Sequence, residues 1–367
     1  MKILAAIENE KIKIVLQALM LILFLYLFLL SISLMGASFK LFGKGFAESL
    51  IASTSNPLVG LFIGILATSL IQSSSSTTSI AVGMVGAGVL TVPNAIPLVM
   101  GANIGTSVTN TIVSMAHLNR SNEFRRSFAA STVHDFFNLL AVIVLFPLQY
   151  FTNFLGIASG YLEEIFQGVG GMKMFNPIKT ITEPVVDLFK SGFGDLPWLL
   201  LIISLVLLFI ALKQMVNTLR VLVINRAEAL FDKVLFKTAL RAFSVGLIMT
   251  ILAQSSSITT SLVVPMAGAG ILTLAQIFPY TLGANIGTTI TAILASLATG
   301  NINAVVVAFA HLLFNISGII IWWPLSRIPI YLANLLAEFS IKNKLYPFIY
   351  IVTVFFIIPI LVLLIFK

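Results

Sequence analysis

The stretch Gln72-Ser73-Ser74-Ser75-Ser76-Thr77-Thr78-Ser79 recurs as Gln254-Ser255-Ser256-Ser257-Ile258-Thr259-Thr260-Ser261, each copy between apolar runs. Hydroxyl rows are costly in such surroundings unless they line a cavity or hold something polar. At the first turn of a helix, hydroxyls and unpaired amides can donate to an oxyanion, beside a dipole end worth about half a positive charge. Two such turns supply roughly one unit of positive potential. No basic side chain contributes, since Leu50 to Met115 and Ala242 to Ile302 contain neither lysine nor arginine. A second motif, Gly101-Ala102-Asn103-Ile104-Gly105-Thr106, recurs as Gly283-Ala284-Asn285-Ile286-Gly287-Thr288. Its glycine spacing favours an unwound turn with free carbonyls. Together with Asn103, Thr106, Asn285, Thr288 and the side chains of Gln72 and Gln254, such turns offer oxygen ligands suited to a hard monovalent cation such as sodium. An anion like phosphate, with about 1.5 to 2 negative charges, exceeds what two helix ends balance, and co-bound cations would cover the deficit. The residues therefore point to a site for an anion and cations together, and leave phosphate, sulfate and carboxylates open.

Composition describes what must position these motifs. Of 367 residues, 59% are apolar and 9% charged, the balance of a polytopic helical membrane protein. Without cysteine there is no disulfide framework, thiolate nucleophile or cysteine-ligated metal, and no transition-metal site is expected. The net charge of +8 does not indicate nucleic acid, because the basic residues sit in short segments between apolar runs, as a topology signal does. The first run, Ile14 to Met35, is too long for a signal-peptide core and is expected as a retained helix.

Residues 1–55 are read as a first transmembrane helix and linker, and 56–147 as repeat 1. An extramembrane segment follows over 148–197, then a spanning helix and basic link over 198–241. Repeat 2 occupies 242–324, and a link with a C-terminal helix occupies 325–367. The arm from Pro57 to Ile71 is about 22 Å long at 1.5 Å per residue, short of the ~30 Å hydrocarbon core. With a second short arm from Thr77 to Leu90 it predicts a re-entrant hairpin. The offset of 182 that relates the glutamines also pairs Gly86 with Gly268, Thr91 with Thr273 and Pro97 with Pro279. Further on, His134-Asp135-Phe136-Phe137-Asn138 meets His311-Leu312-Leu313-Phe314-Asn315. Three expected spans (92–115, 128–147, 197–217) separate the hairpins, and an odd number makes the repeats inverted. With the N-terminus in the cytoplasm, 15 of 21 Lys and Arg residues fall inside, as the positive-inside bias requires. The expected fold is an all-α polytopic membrane protein of about seven spans. It has two inverted-topology repeats, each with a re-entrant helical hairpin (Gln-Ser-Ser-Ser tip) and a broken helix (Gly-Ala-Asn-Ile-Gly-Thr). The C-terminus is expected outside.

Gly86, Gly88, Gly268 and Gly270 read as close-packing glycines, His134 and His311 as partners in interhelical hydrogen bonds, and Arg120, Arg125 and Arg126 as an orientation anchor. Asp135 has no counterpart in repeat 2, where Leu312 stands. A serine hydrolase is disfavoured: His134 and Asp135 are adjacent on one helix, diverge by about 100°, and cannot stand in line in a serine–histidine–acid relay.

These motifs resemble the type II sodium-dependent phosphate cotransporter family. The likeness is dense in Gln72 to Thr78, Met100 to Thr111, Glu123 to Phe128, His134 to Asn138, Gln254 to Ser257, Gly283 to Thr289 and Phe314 to Gly318. The resemblance implies a bacterial-type member, not an enzyme, that takes up inorganic phosphate with sodium across the cell membrane. Ser73, Ser74, Ser75, Ser255, Ser256 and Ser257 would fall at phosphate, and Gln72, Asn103, Thr106, Gln254, Asn285 and Thr288 at sodium. Partners are then phosphate, sodium and the lipid bilayer; a homo-oligomer is compatible. Animal members have a larger disulfide-bonded external loop, against which 148–197 is shorter and lacks cysteine, and a C-terminal extension that is expected to be missing after Lys367. Electrogenic members are similar in carrying an acid before the Glu-Phe-Arg-Arg motif; Ala116 to Asn122 has none.

Overall fold

The computed structural model describes residues 10–169, 176–219 and 236–366, and among these it is helical with no strand. Helix α1 (Glu10–Leu41) is followed by a short α2 (Lys44–Ser53). Asn56 caps α3 (Pro57–Ile71), its side chain accepting from the Leu58 amide at 3.0 Å, with proline at the first position where no amide is needed. Next come α4 (Ser74–Ala87), α5 (Val92–Gly105), α6 (Val108–Ser114) and the long α7 (Ser121–Thr152). Helices α8 (Phe154–Gly168) and α9 (Asn176–Phe193) fall in the segment expected outside the membrane, and α10 (Pro197–Leu219) follows. The second half contains α11 (Ala239–Ala253), α12 (Ser256–Gly268), α13 (Leu274–Thr299) and α14 (Ile302–Trp322). Then α15 (Arg327–Lys342), α16 (Tyr346–Val352) and α17 (Ile358–Phe366) close the chain, the last two joined by a widened turn over Thr353–Ile357. The segment 325–346, expected as a link, is thus largely helix; buried Pro329, Ala333, Ala337 and Ser340 recur every third or fourth residue and let it lie along α7. Much of the basic link between α10 and α11 lies outside the described residues.

Six of these helices are long and apolar enough to cross a membrane: Val15–Leu41, Ser121–Thr152, Pro197–Met215, Leu274–Thr299, Ile302–Trp322 and Tyr346–Phe366. A seventh exists if α2 and α3, bent by 95°, act as one. The expected span 92–115 is instead α5 and α6, divided at Thr106 and Ser107.

The break expected at the same motif in the second half is absent: α13 runs unbroken through Gly283 to Thr288. The difference follows from what competes for the backbone. In the first half the Asn138 side-chain amide donates to the Asn103 carbonyl at 2.8 Å and draws it from the helical ladder. In the second half the equivalent Asn315 amide turns onto its own helix, to the His311 carbonyl at 3.0 Å, and leaves the ladder intact.

The first arm of each helix pair is held by backbone contact. Helix α3 packs on α5 and α11 on α13, with Gly64 against the Leu98 carbonyl and Gly101 against that of Leu61. At the same offset Gly246 lies against the Tyr280 carbonyl and Gly283 against that of Phe243. No Cβ fits at these four positions. Of the glycines expected to pack closely, Gly86 does, against Thr299, whereas Gly88 has open space around its Cβ position and ends α4 at φ 80°. Gly270, at φ 76°, is likewise a turn residue.

Gly101→Ala should therefore lower the thermal unfolding midpoint of the detergent-purified protein, by the equivalent of about 1–3 kcal/mol for overpacking. Gly36→Ala, which meets nothing within 4 Å, should leave it unchanged. Equal midpoints for the two variants would show that the α3 and α5 backbones do not touch.

Candidate functional site

The helix pairs α3/α4 and α11/α12 reverse direction in the same way. Gln72 has φ 58° and ψ 29°, Gln254 φ 51° and ψ 24°, both left-handed. The next residues are extended, Ser73 at φ −151° and Ser255 at φ −155°. Among the described residues other than glycine, only Asn153 joins the two glutamines at positive φ, a conformation that costs about 1–3 kcal/mol and persists where surrounding structure fixes it. Each serine then caps the outgoing helix: Ser73 Oγ accepts from the Ser76 amide at 3.2 Å and Ser255 Oγ from the Ile258 amide at 3.4 Å.

Beyond the cap the hydroxyls are used in different ways. Threonines one turn on bond back to the backbone, Thr78 to the Ser74 carbonyl at 2.8 Å and Thr260 to that of Ser256 at 2.7 Å. Such bonds satisfy a buried hydroxyl locally. The hydroxyls of buried Ser74 and Ser256 make no hydrogen bond among the described residues. They remain available at the first turn of each outgoing helix.

The two tips touch elements of the opposite half. Ser75 Oγ donates to the Gln254 carbonyl at 3.2 Å, and Ser257 Oγ to the Thr106 carbonyl, at the break between α5 and α6, at 3.4 Å. Asn110 Nδ2 donates to Thr260 Oγ1 at 2.7 Å. The glutamines diverge: Gln72 is exposed, whereas Gln254 is buried and its Oε1 accepts from Thr291 Oγ1 at 2.8 Å. The buried hydroxyls of Thr106 and Thr288 each return to a carbonyl of their own helix, Ala102 and Ala284, at 3.1 Å.

Asn103 and Asn285 are joined through a buried chain of amides. Asn138 donates to the Asn103 carbonyl, and Asn285 Nδ2 donates to Asn138 Oδ1 at 2.8 Å. His134 Nε2 lies 2.7 Å from Asn285 Oδ1, and His311 Nε2 lies 3.4 Å from Asn103 Oδ1. The histidines thus make interhelical bonds, each to the asparagine of the other half. Asp135 sits apart from this chain; its Oδ2 accepts from Thr111 Oγ1 at 3.2 Å and Tyr350 OH at 3.0 Å.

Sequence reasoning overlooked several participants. Thr291, Asn110 and Tyr350 sit in apolar or motif-internal runs with no spacing signal. Arg126, expected only as an orientation anchor, donates from Nε at 2.9 Å and Nη2 at 2.5 Å to the Gly268 carbonyl at the end of α12. Asn301 Nδ2 donates at 3.0 Å to the carbonyl of Gly86, the equivalent of Gly268. Equivalent ends of α4 and α12 are therefore each held by the other half.

Asn138→Leu leaves the Asn285 amide and the Asn103 carbonyl short of a partner and should cost about 1–3 kcal/mol of stability. Asn315→Leu should cost less, because the Asn315 oxygen already lacks a partner; thermal unfolding in detergent orders the two. Because the chain has no cysteine, single thiols report exposure cleanly. Gln72→Cys should react with a hydrophilic maleimide at least about tenfold faster than Gln254→Cys, the thiolate being equally nucleophilic when equally solvated. Equal rates would contradict the difference in burial.

The model of the Na+/Pi-cotransporter family matches residues 27–174 and 207–341. Sodium-dependent phosphate transport protein 2B of Homo sapiens is 34% identical over 431 aligned residues, covering 90% of this chain and 62% of its own length. Sodium-dependent phosphate transport protein 2A of Rattus norvegicus is 35% identical over 412, covering 90% and 65%. The chain thus spans less than two thirds of these relatives. No solved structure matches it. With matched segments over most of its length, and its apolar helices long enough to cross a membrane, the chain belongs to the Na+/Pi-cotransporter family.

Proposed function

We propose that the chain is a symporter that carries sodium and inorganic phosphate together into the cell by alternating access. In this reading α3/α4 and α11/α12 are re-entrant hairpins of two inverted repeats, entering from opposite faces, with the N-terminus in the cytoplasm. Phosphate lies between Ser73, Ser74, Ser75 and Ser255, Ser256, Ser257. Sodium is held near Gln72, Asn103 and Thr106 and near Gln254, Asn285 and Thr288. Relatives named as sodium-dependent phosphate transport proteins support the choice of ions. One observation carries the siting: the tips meet across the halves, Ser75 on the Gln254 carbonyl and Ser257 on the Thr106 carbonyl.

Electrostatics favours coupling. Two helix starts offer roughly one positive unit, short of the about 1.5 to 2 charges on phosphate. Sodium beside the anion removes the deficit where water is scarce, so neither ion is expected to load fully alone. Each net positive charge carried inward gains about 2.3 kcal/mol per 100 mV. The contacts of Arg126 with Gly268 and Asn301 with Gly86 suit alternation, because each helix pair is held at its far end by the opposite half.

Proteoliposomes with an imposed sodium gradient test this. Wild type should accumulate phosphate only with the gradient, and Ser74→Ala and Ser256→Ala should each lower initial uptake at least about tenfold, the cost of one charge-assisted hydrogen bond, with unchanged unfolding midpoints. Wild-type uptake by both variants removes the serines from the site. Sodium-independent flux without accumulation would make the chain an anion channel, and inhibition by sulfate or citrate but not arsenate would change the substrate.

A further inference from the structure

Each reversal joins two helix ends of opposite sign. The outgoing helices α4 and α12 present amides. The incoming helices α3 and α11 present their last carbonyls, an end worth about half a negative charge. Thr68 lies in the last turn of α3 and Thr250 in the last turn of α11, related by the same offset of 182 as the glutamines. The Thr68 carbonyl accepts from the Gln72 amide at 2.7 Å. On the facing helices, a Cβ at Gly105 would stand 2.6 Å from that of Thr68, and one at Gly287 2.6 Å from that of Thr250. Each threonine thus sits between the glutamine of its tip and the glycine that precedes Thr106 or Thr288.

Their hydroxyls break the local rule. Elsewhere a buried helical hydroxyl bonds to the carbonyl one turn back, as Ser69 does to Ile65, Thr111 to Ser107 and Thr132 to Phe128. Thr68 and Thr250 are fully buried, and their Oγ1 atoms have no partner. Among the buried side-chain atoms that lack a partner in the described residues, they are the one pair matched at that offset. Packing against glycine does not require the hydroxyl, since valine has nearly the same shape and a buried hydroxyl left unbonded is costly. The same cost at equivalent positions in both halves points to a ligand that relieves it in both.

We infer that Thr68 Oγ1 and Thr250 Oγ1 are further ligands of the transported cation, one at each tip. Sodium is then held at the carbonyl end of the incoming helix and the oxyanion at the amide end of the outgoing one. The assignment rests on the sodium–phosphate reading above. A hydroxyl oxygen offers its lone pairs to a hard cation, as carbonyl and side-chain amide oxygens do. Helix C-terminal ends within a membrane favour the same ion. An anion at this end would meet carbonyl dipoles of its own sign. One turn of chain thereby sorts the two ions by charge.

Thermal unfolding of the full chain in phosphate-free detergent tests it, at rising sodium chloride with choline chloride holding the ionic strength fixed. A cation that binds the folded state raises the midpoint. The double variant Thr68→Val/Thr250→Val should match or exceed the wild-type midpoint in choline, because two unbonded hydroxyls are gone. It should nevertheless need at least about tenfold more sodium for the same rise, the loss of a contact to a charged group. Thr68→Ser/Thr250→Ser restores the hydroxyls and gives up the methyls against glycine. It should lower the choline midpoint and recover the wild-type sodium dependence. Threonines that only pack would give the reverse: a sodium response intact in the valine variant, which overturns the assignment and leaves symport standing. A valine midpoint in choline well below wild type would also overturn it, by showing the hydroxyls bonded within the protein. A wild type whose midpoint ignores sodium removes the sodium reading, and the assignment with it.

Discussion

A polar group placed among apolar helices must be satisfied by the protein itself, and this constraint organises the molecule. The sequence carries two hydroxyl-rich tips into such surroundings, and the fold answers with very local bonds: serine caps on the next amides, threonines on carbonyls one turn behind. Local satisfaction is economical because it orders few additional groups. It also isolates the exceptions. With the threonines one turn on bonded backwards, Ser74 and Ser256 stand at equivalent positions at the first turns of the two tips with hydroxyls that make no bond among the described residues. A ligand that accepts hydrogen bonds would complete what the backbone leaves open.

The same constraint explains why nearly identical sequences do not end in identical surroundings. The tips share their backbone angles, so the reversal is a local property of Gln-Ser preceding a capped helix. Their side chains do not match. Gln72 is exposed while Gln254 is enclosed by Thr291, and Asn138 bridges two helices while Asn315 bonds within one. One buried amide redirected from a foreign carbonyl to its own helix is enough to keep α13 continuous where α5 stops. A hydrogen bond to a buried carbonyl competes on equal terms with the helical ladder.

Much of the architecture was legible because it rests on short-range rules. Apolar runs indicated α1, α7, α10 and the last helices, the repeat carried the pattern into the second half, the paired motifs located both reversals, and the arm from Pro57 to Ile71 matches α3. What escaped depends on distant partners. That α13 would not break could not be read from Gly-Ala-Asn-Ile-Gly-Thr, since the motif is the same in both halves and the deciding residues lie in α7 and α14. The helix over 327–342 was hidden by its charges, because its stripe of small buried residues is not strongly apolar. The exposure of Gln72 and the hold of Arg126 on Gly268 are likewise matters of packing. The backbone of the candidate site is thus written in its own segments, and its side-chain partners are written elsewhere.

The grip of each half on the other gives these asymmetries a direction. Asn301 holds the Gly86 end of α4 with one neutral donor, and Arg126 holds the Gly268 end of α12 with two donors of a charged group. Charge-assisted bonds are roughly twice as strong as neutral ones, so the second hold is the firmer. On the proposed reading the two contacts sit at opposite faces of the membrane. Both holds are made in the one conformation described, so freeing the Gly268 end of α12 costs more than freeing the Gly86 end of α4. A ligand that moves the helix pairs must supply that difference through its own contacts.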